Sequence, residues 1–195
     1  MKKNRYLEKL IIPGTETTEK GTLYEGWRGG NCGKWRDEKE LKALILADLK
    51  KCGIKATLKF RPGGYLIAFT LTLTITADHI KTFEEYKKDG FKIDFYGWNI
   101  YTTEAGKIDY IMGDAVDMNN AELLDNIAKT RYKMEVENLT GNTYHRNNAE
   151  ILNDAGNEIL EATTAILNSY NSDNSNGQID YFDRAFYDHI TFKIK

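Results

Sequence analysis

Lys51-Cys52-Gly53-Ile54-Lys55-Ala56-Thr57-Leu58-Lys59-Phe60 is the stretch where the apolar pattern changes period, and that change decides the fold class. Upstream of it, Leu41, Leu44, Ile45, Leu49 and Cys52 recur at the three-and-four spacing that lines one face of an α-helix. Asp37 predicts an N-cap, Glu40 three residues on completes a capping box, and Gly53 supplies the left-handed residue that ends the helix. Downstream the period drops to two. Ile54, Ala56, Leu58 and Phe60 alternate with Lys55, Thr57, Lys59 and Arg61, and Pro62-Gly63-Gly64 predicts a turn. Ile67, Phe69, Leu71, Leu73 and Ile75 then alternate with Thr70, Thr72, Thr74 and Thr76. Such a hairpin has one apolar and one polar face, so it is covered on one side only.

The rest of the chain extends that plan. Asp78 predicts the cap of a shorter helix with Ile80, Phe83 and Tyr86 inward, closed by Gly90. Phe91 to Tyr101 alternates as a strand, with Gly97 as a bulge candidate. From Asn120, Leu124, Ile127 and Ala128 resume helical spacing toward Val136 and Leu139, and a further helix uses Ile151, Leu152, Ala155, Ile159, Ala162, Ile166 and Leu167. Ile190, Phe192 and Ile194 alternate with Thr191 and Lys193 in a terminal strand. The expectation is an α+β fold in one domain, residues 1–195, with an irregular or edge-like N-terminal region, residues 1–36. The hairpin 54–76, the strand near 91–101 and the terminal strand should share a mostly antiparallel sheet. Helix 38–52 and the two late helices should pack on its apolar face.

Composition bounds the class. The chain has 195 residues, 41% hydrophobic and 12% aromatic, enough to bury a real core. Its longest apolar run falls short of a membrane span, and the basic opening Met1-Lys2-Lys3-Asn4-Arg5 is followed by Leu7-Glu8-Lys9 rather than an apolar stretch. A cytoplasmic protein without a membrane partner is therefore expected. Cys32 and Cys52 match no zinc spacing and are expected as reduced thiols. The net charge of −2 conceals a division. Residues 1–62 carry 15 Lys and Arg against 8 Asp and Glu, a balance of +7, and residues 63–195 carry 12 against 21, a balance of −9. Separation of this kind bears on partners and steering, not on fold.

Candidate sites fall into four sets. Trp27, Arg28, Lys34 and Trp35 interleave aromatics with cations in a glycine-rich stretch, a pattern suited to stacking on bases, with burial of the two tryptophans over the core as the competing reading. Lys55, Lys59 and Arg61 stand beside the threonine ladder on the polar sheet face, where they would meet phosphate or merely solvate the sheet. Asp114, Asp117, Glu122 and Asp125 form the acidic cluster, set against Lys107 alone in the segment Glu104 to Asp125. Asp114 with Asp117, or Asp180 with Asp183, would be the carboxylates of a metal-dependent enzyme. No histidine among His79, His145 and His189 has a partner at metal spacing, and no phosphate loop, serine elbow or cysteine nucleophile signature occurs, so no catalytic residue, metal or cofactor is assigned. Ser172 to Asp183 imitates a calcium loop, with Gly177 and Ile179 in register. Ser172 replaces the anchoring aspartate, however, and Asp183 is too short for bidentate ligation, so calcium binding is not expected.

The tail carries one more signal. Ile166-Leu167-Asn168-Ser169-Tyr170-Asn171, a short Asp/Asn/Ser run, then Asp180-Tyr181-Phe182-Asp183 and Phe186-Tyr187-Asp188-His189-Ile190 resembles the C-terminal signature of a large polyvalent protein-associated domain. Glu40-Leu41-Lys42 through Lys51-Cys52-Gly53-Ile54-Lys55 is similar to that family's earlier half, and the resemblance spans the chain after Trp35. Such domains occur in proteins of bacteriophages and conjugative elements, which implies an origin in mobile DNA and a role near host defence. The family brings no established catalytic residues. The expectation is an anti-defence binding protein that inhibits a host nuclease such as a CRISPR effector, its acidic half acting as a nucleic-acid mimic in a basic channel. The alternative is a nucleic-acid-binding accessory module built on Trp27, Arg28, Lys34, Trp35, Lys55, Lys59 and Arg61.

Overall fold

The computed structural model describes residues 4–18, 26–62, 67–89, 98–102, 108–112, 121–141, 150–173 and 184–195. In chain order these form β1 (Thr15–Thr18), β2 (Gly26–Gly29), α1 (Glu38–Lys51), β3 (Lys55–Phe60), β4 (Ala68–Ile75), α2 (Phe83–Asp89), β5 (Trp98–Thr102) and β6 (Ile108–Met112). They continue with α3 (Ala121–Gly141), α4 (Asp154–Tyr170), β7 (Ser172–Asp173) and β8 (Tyr187–Ile194). The class is α+β, with small, mostly antiparallel sheets.

Helix α1 begins and ends as its residues dictate. The Asp37 carboxylate accepts from the Glu40 amide at 2.8 Å, and the Glu40 carboxylate reaches back to the Arg36 amide at 2.9 Å. At the far end Gly53 takes a φ of 79°, its N–H donates to the Lys50 carbonyl at 3.0 Å, and the Ile54 N–H donates to the Leu49 carbonyl at 2.9 Å. These are the two bonds of a Schellman stop, with Leu49 and Ile54 both buried beneath it. The chain leaves that stop directly into β3.

The central sheet has the order β3-β4-β8. β3 lies antiparallel to β4, from Lys55 opposite Thr74 to Phe60 opposite Phe69. β8 lies parallel to β4 along its whole length, from Ala68 opposite Tyr187 to Ile75 opposite Ile194. A parallel neighbour requires a crossover, and α2, α3 and α4 all fall between the two strands in the chain. Alternation then sorts the faces. Leu58, Phe69, Leu71, Leu73, Ile75, Ile190 and Phe192 are buried on one side, and α1 and α4 add Leu41, Ile45, Leu49, Ile159, Ile166 and Leu167 to the same cluster. α1 packs on β3 and on α4, while α3 packs against β8.

Four details differ from the sequence expectation. The strand near 91–101 does not join the central sheet: β5 pairs with β6 as a separate antiparallel hairpin. Closing a short local loop costs less chain entropy than a long-range pairing with an edge of the central sheet. Ile108–Met112, read only as part of an acidic segment, is a strand. Asp78 does not cap α2. It sits in the 3₁₀ turn Ala77–His79, and the cap is Thr82, whose hydroxyl accepts from the Glu85 amide at 3.3 Å while Glu85 accepts from the Thr82 amide at 2.8 Å. The N-terminal region holds two short strands, with β2 between β1 and β7. Gly90, Gly97 and the Gly63-Gly64 turn lie outside the described residues.

β2 also closes the end of α4. A helix leaves its last carbonyls without partners. Here Asn31 N–H donates to the Ser169 carbonyl at 2.7 Å, the Trp35 indole N–H to the Tyr170 carbonyl at 3.4 Å, and Gly29 N–H to the Asn171 carbonyl at 2.9 Å. The approach is so close that a β-carbon on Gly29 would stand 2.1 Å from the Asn168 carbonyl oxygen.

Candidate nucleic-acid interface

The outward face of the central sheet is built row by row from the strand register. Lys55, Thr74 and Lys193 form one row, Thr57, Thr72 and Thr191 the next, Lys59, Thr70 and His189 the third. Arg61 continues past the end of β3, its N–H donating to the Ala68 carbonyl at 2.8 Å, and Ala68 lies opposite Tyr187. The threonine hydroxyls of Thr72 and Thr191 stand 2.9 Å apart, and Arg61 Nε lies 3.4 Å from Thr70 Oγ1, which places these side chains on one face. Lys55, Lys59, Arg61 and Lys193 are exposed. None of the outward positions in these rows is an Asp or Glu. Among the described residues Lys55, Lys59 and Lys193 make no ion pair.

Sequence reasoning identified the β3 cations and the β4 threonines. It missed Lys193, His189 and Tyr187, because their membership depends on β8 running parallel to β4 in this register. The period-two alternation of the tail was the available signal for which of its side chains point outward.

The other expected nucleic-acid residues do not gather there. Trp27 sits half-buried in β2, opposite Thr17 and Asp173. Trp35 packs against the core edge while its indole caps α4, so it serves the fold. Arg28 donates to the Cys32 carbonyl at 3.3 Å and Lys34 to the Asn31 side chain at 2.9 Å, both within the β2–α1 connection. No described contact joins this segment to the outward sheet face. The seven residues therefore split into a set on β2 and the β2–α1 connection and a set on the central sheet.

The acidic cluster is only partly visible. Asp114 and Asp117 lie outside the described residues, as do Asp180 and Asp183. Glu122 is exposed in the first turn of α3. Asp125 is held between Lys87 and Lys129, the second at 2.9 Å, and the Lys87 and Lys129 ammonium groups lower its pKa below the usual carboxylate value. Its charge is compensated by these two lysines at the protein surface. Among the described residues no three His, Cys, Asp or Glu side chains converge as metal ligands. Of the calcium-like loop, Ser172 and Asp173 are described: they pair with Arg28 and Trp27 as β7, and Asp173 binds Arg184 at 2.6 Å. No described helix is long and apolar enough to cross a membrane.

The two ends of the tail signature meet in the core. The Asn171 side chain accepts from the Phe186 N–H at 3.2 Å and from the Ser172 N–H at 2.9 Å, and donates to the Phe186 carbonyl at 3.1 Å. Phe186 is fully buried, and its ring centroid lies 5.0 Å from that of Phe69. Tyr181 and Phe182, expected to pack beside it, lie outside the described residues. No family model matches the chain, and no curated protein or solved structure is found to match it. What the described tail residues display is architecture: they fasten α4 to the start of β8.

Tyr170 belongs to the same fastening. Its hydroxyl donates to Asp48 at 2.6 Å, and Asp48 also holds Lys51 at 2.8 Å. Burial, reinforced by the Asp48 carboxylate, pushes the phenol well above the ordinary tyrosine range. The unfolded chain would ionise this residue near pH 10, while the folded chain keeps its proton. Above that pH the folded state binds more protons, so the stability contributed by this group is complete below pH 10 and declines as pH rises. Thermal melts of Tyr170→Phe should therefore show a shallower fall between pH 10 and 11.5 than the parent, after a loss of about 2 kcal/mol at pH 7 from the missing bond to a charged acceptor. Parallel pH slopes for the two proteins would contradict this. Tyr86 and Tyr132, raised by burial, and Lys51 and Lys87, raised by their bonds to Asp48 and Asp125, contribute to the slope that remains.

Proposed function

We propose that this chain is a binding module whose working surface is the outward face of β3, β4 and β8, and that its ligand is nucleic acid. The observation that carries this reading is the sign of the face: Lys55, Lys59, Arg61 and Lys193 surround five threonine hydroxyls, and every formally charged side chain in the rows is a cation. A local cluster of this kind attracts polyanions although the chain as a whole carries −2. Threonine hydroxyls and exposed ammonium groups are ordinary phosphate contacts. The likeness of the tail to domains of mobile-element proteins supports an accessory role in handling such an element's DNA or RNA.

With four cations engaged, log affinity should fall against log salt with a slope of about −3 on single strands. Lys55→Gln, Lys59→Gln and Arg61→Gln together should reduce that slope by about 2 and leave the fold intact, since all three side chains are exposed. Fluorescence anisotropy of a labelled oligonucleotide across a salt series measures both quantities. An unchanged slope in the triple variant would remove the sheet face from consideration.

A second reading, inhibition of a host defence nuclease by the acidic half, is supported by the −9 balance of residues 63–195 and by exposed Glu122. The compensation of Asp125 by Lys87 and Lys129 weighs against its acidic cluster acting as a free phosphate mimic. Retention of a basic nuclease by the triple Gln variant, together with loss of retention on Glu122→Gln, would favour this second reading over the first.

A further inference from the structure

Given the nucleic-acid reading of the sheet face, on which this step rests, we infer that the ligand is single-stranded, with its backbone along the threonine strip and bases stacked on Tyr187 and His189. Width is the first reason. The face is three strands across, and adjacent strands are about 4.8 Å apart, so the cations of β3 and β8 stand on lines about 10 Å apart at the backbone. Lys55 and Lys193 flank Thr74 across one row, and Lys59 and Arg61 continue the β3 side. One phosphodiester chain fits between such lines.

The second reason is relief. Reading a duplex requires an element that enters a groove, usually a helix or a two-stranded ribbon. The helices α1 and α4 contribute their apolar residues to the core on the opposite face. A solvent-facing sheet surface with aromatic side chains is instead the setting on which splayed bases stack.

The third reason is where the rings fall. Tyr187 and His189 are two residues apart on β8 and therefore project from the same face, about 6.5 Å from one another along the strand. Each lies across from the threonine strand, at Ala68 and at Thr70, so the tyrosine faces a small neighbour. Both residues are half-buried. The Arg184 guanidinium, held by Asp173 at 2.6 Å, lies 5.5 Å from the centroid of the Tyr187 ring.

The test uses the whole chain with a labelled dT12 strand, a 12-base-pair duplex and poly-glutamate, all at about 50 mM salt. The expected result is binding of dT12 at least tenfold tighter than the duplex. Tyr187→Ala should weaken dT12 about tenfold, as loss of one stacked base does, while Tyr187→Phe restores it and duplex binding stays unchanged. Equal or tighter binding of the duplex, or equal loss on both ligands in Tyr187→Ala, overturns the single-strand inference and leaves the nucleic-acid reading standing. Poly-glutamate binding as tight as dT12 overturns the inference by showing a face selective for charge alone. Absence of binding by either nucleic acid overturns the reading beneath it.

Discussion

Asn171→Ala should destabilise the fold by about 3–5 kcal/mol, because one side chain there serves three backbone groups. It accepts from the Phe186 and Ser172 amides and donates to the Phe186 carbonyl, all at 2.9–3.2 Å, with only 4% of its surface exposed. Truncation leaves those groups without their partner, and a buried orphan costs about 1–3 kcal/mol. A domain of this size is stable by about 5–15 kcal/mol, so the loss is a large share of the total. Asn171→Asp should be no milder, since a carboxylate keeps the acceptor, loses the donor and buries a charge. Urea denaturation monitored by tryptophan fluorescence measures the change. A loss under about 1 kcal/mol would show that the Phe186 backbone finds other partners.

Phe186→Ala should cost about 3–5 kcal/mol by a different route. The ring is fully buried, packs on Phe69, and Phe69 meets Phe60 edge-on with centroids 5.8 Å apart. Its removal opens a cavity beside Phe69, at the residue that leads into β8. Phe186→Leu should recover most of the loss, because it restores volume without polar groups. If Ala and Leu destabilise equally, shape rather than volume holds the start of β8. Both variants should be checked for a sigmoidal transition, so that reduced stability is not mistaken for failure to fold.

Much of the architecture was legible because local signals agreed. Asp37, the Leu41-Ile45-Leu49 stripe and Gly53 each point to the same helix, and the switch to alternation at Ile54 points to the same hairpin. The later helices followed from long apolar stripes in the same way, and α3 and α4 fall where Ala128, Ile159, Ile166 and Leu167 place them. Partner choice was less legible. Trp98–Thr102 alternates as a strand should, but alternation says nothing about which edge a strand joins. The Thr82–Glu85 box was overlooked because Asp78 offered a cap of the same type four residues earlier.

The candidate face was half legible for the same reason. Lys55, Lys59 and Arg61 alternate with core residues within one strand, whereas Lys193 and Tyr187 reach the face only through a pairing with residues far back in the chain. Trp35 shows the converse. Its setting among cations suggested a surface for bases, yet its indole N–H answers the Tyr170 carbonyl, a need invisible without the end of α4 beside it.

The parallel seam between β4 and β8 has a consequence for how the chain is made. Thr72 and Thr191, bonded across it, are 119 residues apart. On a ribosome, β3 and β4 emerge and can pair early, but one edge of β4 must wait for α2, α3 and α4 to be synthesised before its neighbour exists. During that interval Phe69, Leu71 and Leu73 have α1 on their side of the sheet but still lack α4 and β8, and contacts of such long range form slowly. A growing chain is therefore most open to misassociation after β4 and before β8. Conditions that slow synthesis of the intervening residues should lower the yield of folded protein without altering the stability of the molecules that reach the native state.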